Sequence, residues 1–225
     1  MNTQYLKRIF AGVLATALLS GLTINHAAAS EEQASISEYA GMDVGDVTRA
    51  RGNIASVLHS LPRTLREGSD IKFLDTILTG EDTRAEITLI DDSQLFIGDH
   101  SELTIDEMVY EPGKPSRGVL TLTKGVFRMV SGRINKTAGS SLTLNTPVAT
   151  IGVRGTDFWG LQEKDKLTMA LIDNGAVEIT GADGRTVILD TPLQAVVIER
   201  GQATPAEPFN LTPEELAEAA KTITY

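Results

Sequence analysis

The chain has 225 residues, no cysteine, and 20 Lys+Arg against 30 Asp+Glu, for a net charge of −10. An acidic balance of that size argues against nucleic-acid binding and against anionic membrane surfaces, where basic residues must displace counterions. Without cysteine, thiol catalysis, zinc ribbons and iron–sulfur ligation are excluded, and stability has to come from an apolar core.

Lys7 and Arg8 precede an apolar run from Ile9 to Ile24, and Ala27-Ala28-Ala29 offers a small-residue cleavage site. This predicts a secretory signal over 1–29, cleaved after Ala29. An uncleaved anchor is the competing reading; Thr16, Ser20, Gly21 and Thr23 interrupt the run and speak against it. Removing the leader leaves 18 basic residues against 30 acidic, a balance of −12. Nothing later approaches the ~20 consecutive apolar residues of a spanning helix. A periplasmic or secreted location is expected, with no membrane insertion after cleavage. Residues 30–43 are polar and acidic and read as a solvated leader with room for one short helix.

From Val44 to about residue 200 the pattern is strands divided by turn signals. Val47 to Ala50 and Ile54 to Leu58 flank Arg51-Gly52-Asn53, Leu61 to Gly68 reads as a short connection, and Ile71 to Leu78 as a strand. Ala85, Ile87 and Leu89 alternate with polar neighbours, a period of two that buries one face. Turns at 91–93 and 98–99 lead into Gln94 to Ile97 and Glu102 to Met108. Pro112, Gly113 and Pro115 mark a breaker-rich loop, EPGKPSRG, expected to project from the body. Val119 to Thr123 and Val126 to Val130 read as a strand pair around Lys124-Gly125, and 132–141 as a flexible polar segment. After the block described next come Leu167 to Ile172, an Asn174-Gly175 hairpin turn, Ala176 to Thr180, Thr186 to Leu189 and Leu193 to Glu199. Residues 201–225 form a tail in which Thr212-Pro213-Glu214-Glu215 is a capping box opening a helix over Pro213 to Lys221. Leu216 and Ala220 are expected to dock it. Many short strands, glycine at corners and almost no helix mean all-β: a single compact β-helix-like or double-sheet domain with a short C-terminal helix.

The most informative stretch is Thr143 to Gly160, TLNTPVATIGVRGTDFWG. Pro147 removes a ladder donor, so a strand starts, bends or lies at an edge there. Gly152 and Gly155 bracket Val153-Arg154, suggesting positive φ or close backbone approach. Arg154, inside an apolar run, is expected to turn inward onto carbonyls or a carboxylate; a clamp on a carboxylate ligand is the alternative. Thr156-Asp157 would accept from it or close the turn. TPVATIGVRGTDF resembles the signature of the FecR domain family, T-P-x-A-x-x-G-V-R-G-T-x-F, through Thr146, Pro147, Gly152, Arg154, Gly155, Thr156 and Phe158. Gly45-Asp46-Val47 with Arg51-Gly52 resembles the family's opening, Leu78 to Ile105 its middle, Leu120 to Val130 and 174–177 the flanking strands, so the resemblance runs from Val44 to Ile179. Asp92 departs from it, standing where the family usually has glycine in a D-G-S turn.

Residue types that carry chemistry are scarce. His100 neighbours Asp99 and Ser101, but adjacent strand residues point to opposite faces and cannot form a triad; His59 stands alone. The paired acids Glu81/Asp82, Asp91/Asp92, Asp99/Glu102 and Asp106/Glu107 would need two facing one cleft for glycoside hydrolysis, and they read instead as a solvated face. No calcium or other metal motif appears. No catalytic residue, metal or cofactor is assigned. Phe158 is a core candidate. Trp159 points the opposite way, either a binding platform or a ring half-buried under a loop, with burial favoured. Trp159, Tyr110, Pro112 and Lys114 form the candidate binding surface.

The resemblance implies a periplasmic signalling or binding module. In type members of the family the domain relays the state of an outer-membrane receptor to a sigma factor, through a cytoplasmic N-terminal segment and one membrane span. Neither accompanies the leader here, so that half of the function is not expected to carry over. The expectation is a non-enzymatic exported interaction or signalling module. Its partner is an envelope protein or polysaccharide, met by the β surface, the 111–118 loop and strand addition at free edges. The alternative is a carbohydrate-binding or carbohydrate-active β scaffold. No oligomeric state is readable.

Overall fold

Alternation of apolar and polar residues at a period of two recurs along most of the chain, and the backbone follows it into strands. The computed structural model describes residues 41–204 and 207–225. The signal expected over 1–29 and residues 30–40 of the expected leader lie outside the described residues. The strands, in chain order, are β1 (Asp43–Arg51), β2 (Ile54–Leu58), β3 (Leu61–Leu65), β4 (Asp70–Lys72), β5 (Thr76–Thr79), β6 (Arg84–Leu89), β7 (Gln94–Ile97), β8 (Glu102–Val109) and β9 (Arg117–Val130). A 3₁₀ turn at Ile134–Lys136 precedes β10 (Ser141–Asn145), β11 (Ala149–Arg154), β12 (Asp157–Gln162), β13 (Lys166–Leu171), β14 (Ala176–Gly181), β15 (Thr186–Leu189), β16 (Gln194–Glu199) and β17 (Phe209–Asn210). One helix, α1 (Pro213–Lys221), ends the chain.

The strands form two layers. The first runs β4–β1–β6–β7–β9–β12–β13–β16–β17. The second runs β3–β2–β5–β8–β9–β10–β11–β14–β15. Only β9 belongs to both, so the seventeen strands make one sheet folded over on itself. Every pairing is antiparallel except β9 with β10. The all-β, double-sheet expectation with a short terminal helix is thus met.

β9 changes layer at Gly125. Its φ is +99°, and a Cβ there would lie 2.2 Å from the Ser101 hydroxyl, so only glycine fits. Ser101 Oγ accepts from the Val126 amide at 3.0 Å and bridges the kink. The two strands expected around Lys124-Gly125 are therefore one 14-residue strand bent at a glycine. Two other boundaries differ. Leu61 to Leu65 is an edge strand rather than a connection, compatible with Pro62 because its missing amide is not needed at an edge. The run from Ile71 to Leu78 is split by Leu74, whose φ is +69°.

Inward positions of both layers build the core. Ile87, Leu95, Phe127 and Phe158 from the first and Ile77, Leu103, Leu122, Ile151 and Ile179 from the second are fully buried. Each such side chain contributes roughly 1.5–3 kcal/mol by leaving water. Phe127 and Phe158 meet edge to face at 5.6 Å between centroids.

The outer face of the first layer is also covered. Trp159, Ala170 and Ala195 on that face are buried with Ala219 and Ile223 of the terminal segment. The terminal segment docks through Leu216 and Ala219 of α1 and Ile223 just beyond it; of the two expected contacts Leu216 is half-buried there and Ala220 is exposed. The capping box forms as read: the Thr212 hydroxyl accepts from the Glu215 amide and the Glu215 carboxylate from the Thr212 amide.

Candidate functional site

The signature segment is a hairpin followed by a crossover between layers. Thr146 closes the β10–β11 turn; its hydroxyl accepts from the Ala149 amide at 3.0 Å and donates to the Ala149 carbonyl at 3.0 Å. Pro147 is exposed within that turn, where no ladder amide is missed. Ile151 and Val153 point into the core. Gly155, with φ of +60°, turns the chain out of the second layer. Thr156, buried, is held by the Ser131 hydroxyl, which accepts from its amide at 2.8 Å, and it donates to the Asp173 carbonyl at 3.2 Å. Phe158 then enters the core as β12 joins the first layer.

Arg154 corrects one expectation. Strand alternation puts it on the outer face, since its neighbour Val153 takes the inward position. Its side chain is 68% exposed and pairs with Glu178 on β14 at 2.5 Å. A carboxylate partner was foreseen; an inward guanidinium was not what formed. Asp157 pairs instead with Arg128, through Nε to Oδ1 at 2.7 Å and Nη2 to Oδ2 at 2.5 Å. These hydrogen bonds hold the Arg128 pKa above its ordinary value. Gly152 corrects another. It has ordinary strand geometry, and a Cβ there would meet nothing closer than 3.9 Å.

The four residues of the expected binding surface do not converge. Trp159 is only 7% exposed and its indole N–H donates to Thr222 Oγ1 at 3.1 Å. It lies under the terminal helix and is no open platform, because α1 covers the face opposite Phe158. Tyr110 lies with Arg133 5.3 Å above its ring. Pro112 and Lys114 are exposed, Lys114 pairing with Glu111 at 2.6 Å. The 111–118 loop folds back on its neighbour, with the Ser116 amide donating to Ser140 Oγ at 2.9 Å, instead of projecting. Nor is 132–141 merely a polar spacer. Ile134 is fully buried and its amide donates to the Asp91 carboxylate at 3.2 Å.

Beside this loop lies an open pocket of 530 Å³, bordered by Asn135, Ser140, Ser141, Thr143, Gly152 and Arg154. The bare Gly152 forms part of its wall. An outward glycine opposite a Gly/Ser-rich loop was the sequence signal for it, and the search for catalytic types passes over such a feature.

The acids serve turns and pairs. Asp91, expected on a solvated face, is buried and accepts from the Ser93 amide and hydroxyl at 3.1 and 2.7 Å. Asp92 sits beside it at φ +64°, the left-handed position of the departed glycine. Asp99 accepts from Arg84 and from the Thr83 amide. Asp106 is partly buried, and that burial raises its pKa, opposed by a hydrogen bond with Thr121. His59 and His100 are exposed in turns with positive φ. Among the described residues no group of His, Asp or Glu could hold a metal ion, and no helix is long and apolar enough to cross a membrane.

Free strand edges are the remaining feature. β4 has three residues and is flanked by the Lys72–Asp43 pair. β17 has two, and β3 carries Pro62 and Arg63. β15, Thr186–Leu189, has neither proline nor charge, and Ile188 is 48% exposed. The Gly181 amide donates to the Arg185 carbonyl at 3.0 Å, which sets the alternation of the β14–β15 ladder. Thr186 and Ile188 therefore turn their backbone N–H and C=O away from β14, toward the open edge.

The fold is similar to two crystal structures of a candidate anti-sigma factor from Parabacteroides distasonis. The TM-scores are 0.51 and 0.50, at 15% and 14% identity. The likeness covers 64% and 63% of this chain and 63% and 62% of those, so the chain matches less than two thirds of their length. No curated protein sequence matches the chain. Residues 75–178, from the start of β5 into β14, match the family model described as FecR protein. That is narrower than the resemblance read from Val44 to Ile179, and it leaves β1 to β4 outside. It contains the crossover strand, the hairpin and the Gly155 corner, so this part of the chain is similar to the FecR family over residues 75–178.

Proposed function

We propose that this protein is an exported, non-enzymatic regulatory module that recognises a protein partner by adding one of the partner's strands to β15. The observation that carries the reading is the state of the edges: three are short, charged or blocked by proline, and the fourth presents Thr186 and Ile188 unguarded. Natural sheets blunt an edge they do not use, so an apolar, unblocked one marks a place for another strand. The family match supports a regulatory role, as does the likeness in fold to a candidate anti-sigma factor. The commitment of Asp91 and Asp99 to turn amides and to Arg84 supports a scaffold over an acid–base site. Export rests on Lys7, Arg8, the Ile9 to Ile24 run and the alanines before Ser30. An envelope protein is the partner class that fits such a location.

A photo-crosslinking residue in place of Ile188, introduced in the source cell, would trap the partner for mass spectrometry. The purified partner is then compared on the wild type and on Ile188→Pro, which deletes an outward N–H without touching the ladder to β14. A loss of at least about tenfold in affinity with an unchanged melting temperature is expected. Equal affinity for both proteins would overturn capture at this edge.

A further inference from the structure

Strand register builds the floor of the 530 Å³ pocket on the outer face of the second layer. Thr143 of β10 stands directly opposite Gly152 of β11, and alternation turns Ser141 and Arg154 to the same side. The 132–141 segment forms the wall, and that wall is pinned. Ile134 is fully buried, and the Ser141 amide donates to the Ser116 carbonyl at 3.0 Å. Asn135, its amide oriented to satisfy both partners, donates to the Val153 carbonyl at 3.2 Å and accepts from the Gly155 amide at 3.3 Å. Wall and floor are thus tied together, and the cavity is preformed. Its size falls within the ~300–1,000 Å³ of small-molecule sites.

The lining is hydroxylated and without net charge. Thr137, Ser140, Ser141 and Thr143 border the pocket, and among the described residues no Asp or Glu does, in a chain with 30 of them. Ser140 Oγ accepts from the Ser116 amide and keeps its own proton to donate. Arg154 is the one cation of the lining, and Glu178 at the rim cancels its charge through Nη2 while the guanidinium keeps further N–H donors. A lining of this kind matches groups that donate and accept at once, as sugar hydroxyls do, whereas an anion calls for an unpaired cation. Gly139 and Gly152 let a ring lie against bare backbone. Among the described residues no aromatic ring lines the pocket, so a sugar there is held by hydrogen bonds without stacking, and a single unit binds weakly. Further hydroxyls adjoin it. Thr121, Asn145, Thr150, Thr180 and Thr186 stand opposite one another across β9, β10, β11, β14 and β15. This row passes one outward position beyond Thr143 and Gly152, its side chains about 4.8 Å apart.

We propose that the pocket binds one unit of a neutral glycan and that the adjoining row carries the units that follow. This goes beyond strand capture at β15 and does not depend on it.

The test starts from an array of neutral and uronic-acid-containing mono- to hexasaccharides, probed with the full-length protein. Titration calorimetry then measures affinity for the neutral glycan bound best. Binding is expected to strengthen with chain length and to persist at high salt, because no net charge is engaged. Gly152→Val puts a side chain into the pocket from a position whose nearest neighbour, the half-exposed Glu178, is 3.9 Å from the added Cβ. The melting temperature is expected to hold while affinity falls at least about tenfold. Should the melting temperature fall, Thr143→Val, which exchanges a hydroxyl for a methyl, is expected to weaken binding about three- to tenfold. The proposal is overturned by the absence of binding to every neutral glycan, by equal affinity in a stable Gly152→Val, or by unchanged affinity in Thr143→Val. Binding confined to uronic-acid glycans and abolished at high salt would assign the pocket to an anion and equally overturn it. Ile188→Pro is expected to leave glycan affinity as it is, so loss of the β15 contact and loss of this pocket are distinguishable.

Discussion

Two glycines three residues apart divide the work of the signature. At Gly155 the backbone adopts φ of +60°, while a Cβ there would find its nearest neighbour 4.0 Å away, at Asn135. Space is available; the left-handed conformation is what excludes other residues. Gly155→Ala is therefore expected to cost about 1–2 kcal/mol in chemical denaturation. Gly152→Ala, in ordinary strand geometry with an open pocket beside it, should change stability by no more than ~0.5 kcal/mol. Sequence spacing makes the two look alike, because it shows a glycine but not the dihedral it occupies. Arg154 teaches the same lesson from the other side. Its apolar neighbours suggested burial, yet Ile151 and Val153 already claim the inward positions, and a period of two leaves Arg154 outside. Trp159 was half legible. Alternation put it opposite Phe158, but what covers it is Thr222, sixty-three residues later, which no local window contains.

Elements were legible where the chain pairs with its neighbour and less so where distant strands set the boundary. The Asp183-Gly184 hairpin and the α1 capping box follow from turn chemistry alone. Asn174-Gly175, expected as a hairpin turn, instead carries the chain from β13 in the first layer to β14 in the second, because β13 pairs with β12 and β16 and β14 with β11 and β15. The unbroken β9 does not follow from turn chemistry either, because its course depends on Ser101 packing against Gly125. The Asp183 turn is also a clip. Its carboxylate accepts from the Thr204 hydroxyl at 2.7 Å, the Thr204 amide at 2.9 Å and the Arg185 amide at 3.1 Å, tying the tail to the β14–β15 hairpin. The Thr204 bonds are the main reason its pKa falls to about 2. A carboxylate more acidic in the fold than its unfolded value of roughly 3.9 stabilises fully above that value. The stabilisation is lost as pH falls toward 2. Asp183→Asn should thus melt at a lower temperature than the wild type at pH 6, and the gap should close as thermal scans approach pH 2. A gap of constant size would show that the clip is not the ionised carboxylate.

For the whole molecule, the sheet folded over at β9 leaves two unlike outer faces and one unguarded edge. The face under α1 is apolar and occupied, and the opposite face is polar. The all-β class and the family signature were readable in the sequence. Which edge stays open was not, because an edge is defined by the strand that fails to arrive beside it. β15 and β3 have similar lengths, and only the assembled layer shows that both lie at its borders. A partner strand added to β15 has to hydrogen-bond the outward amides of Thr186 and Ile188 and needs none of those in β6 or β7, inside the first layer. Hydrogen exchange on the full-length protein, free and saturated with its crosslinked partner, tests this directly. The Thr186 and Ile188 amides are expected to exchange fast in the free protein and to become protected in the complex, while β6 and β7 stay unchanged. Protection that appears elsewhere and leaves Thr186 and Ile188 exchanging at their free rate would contradict recognition at this edge.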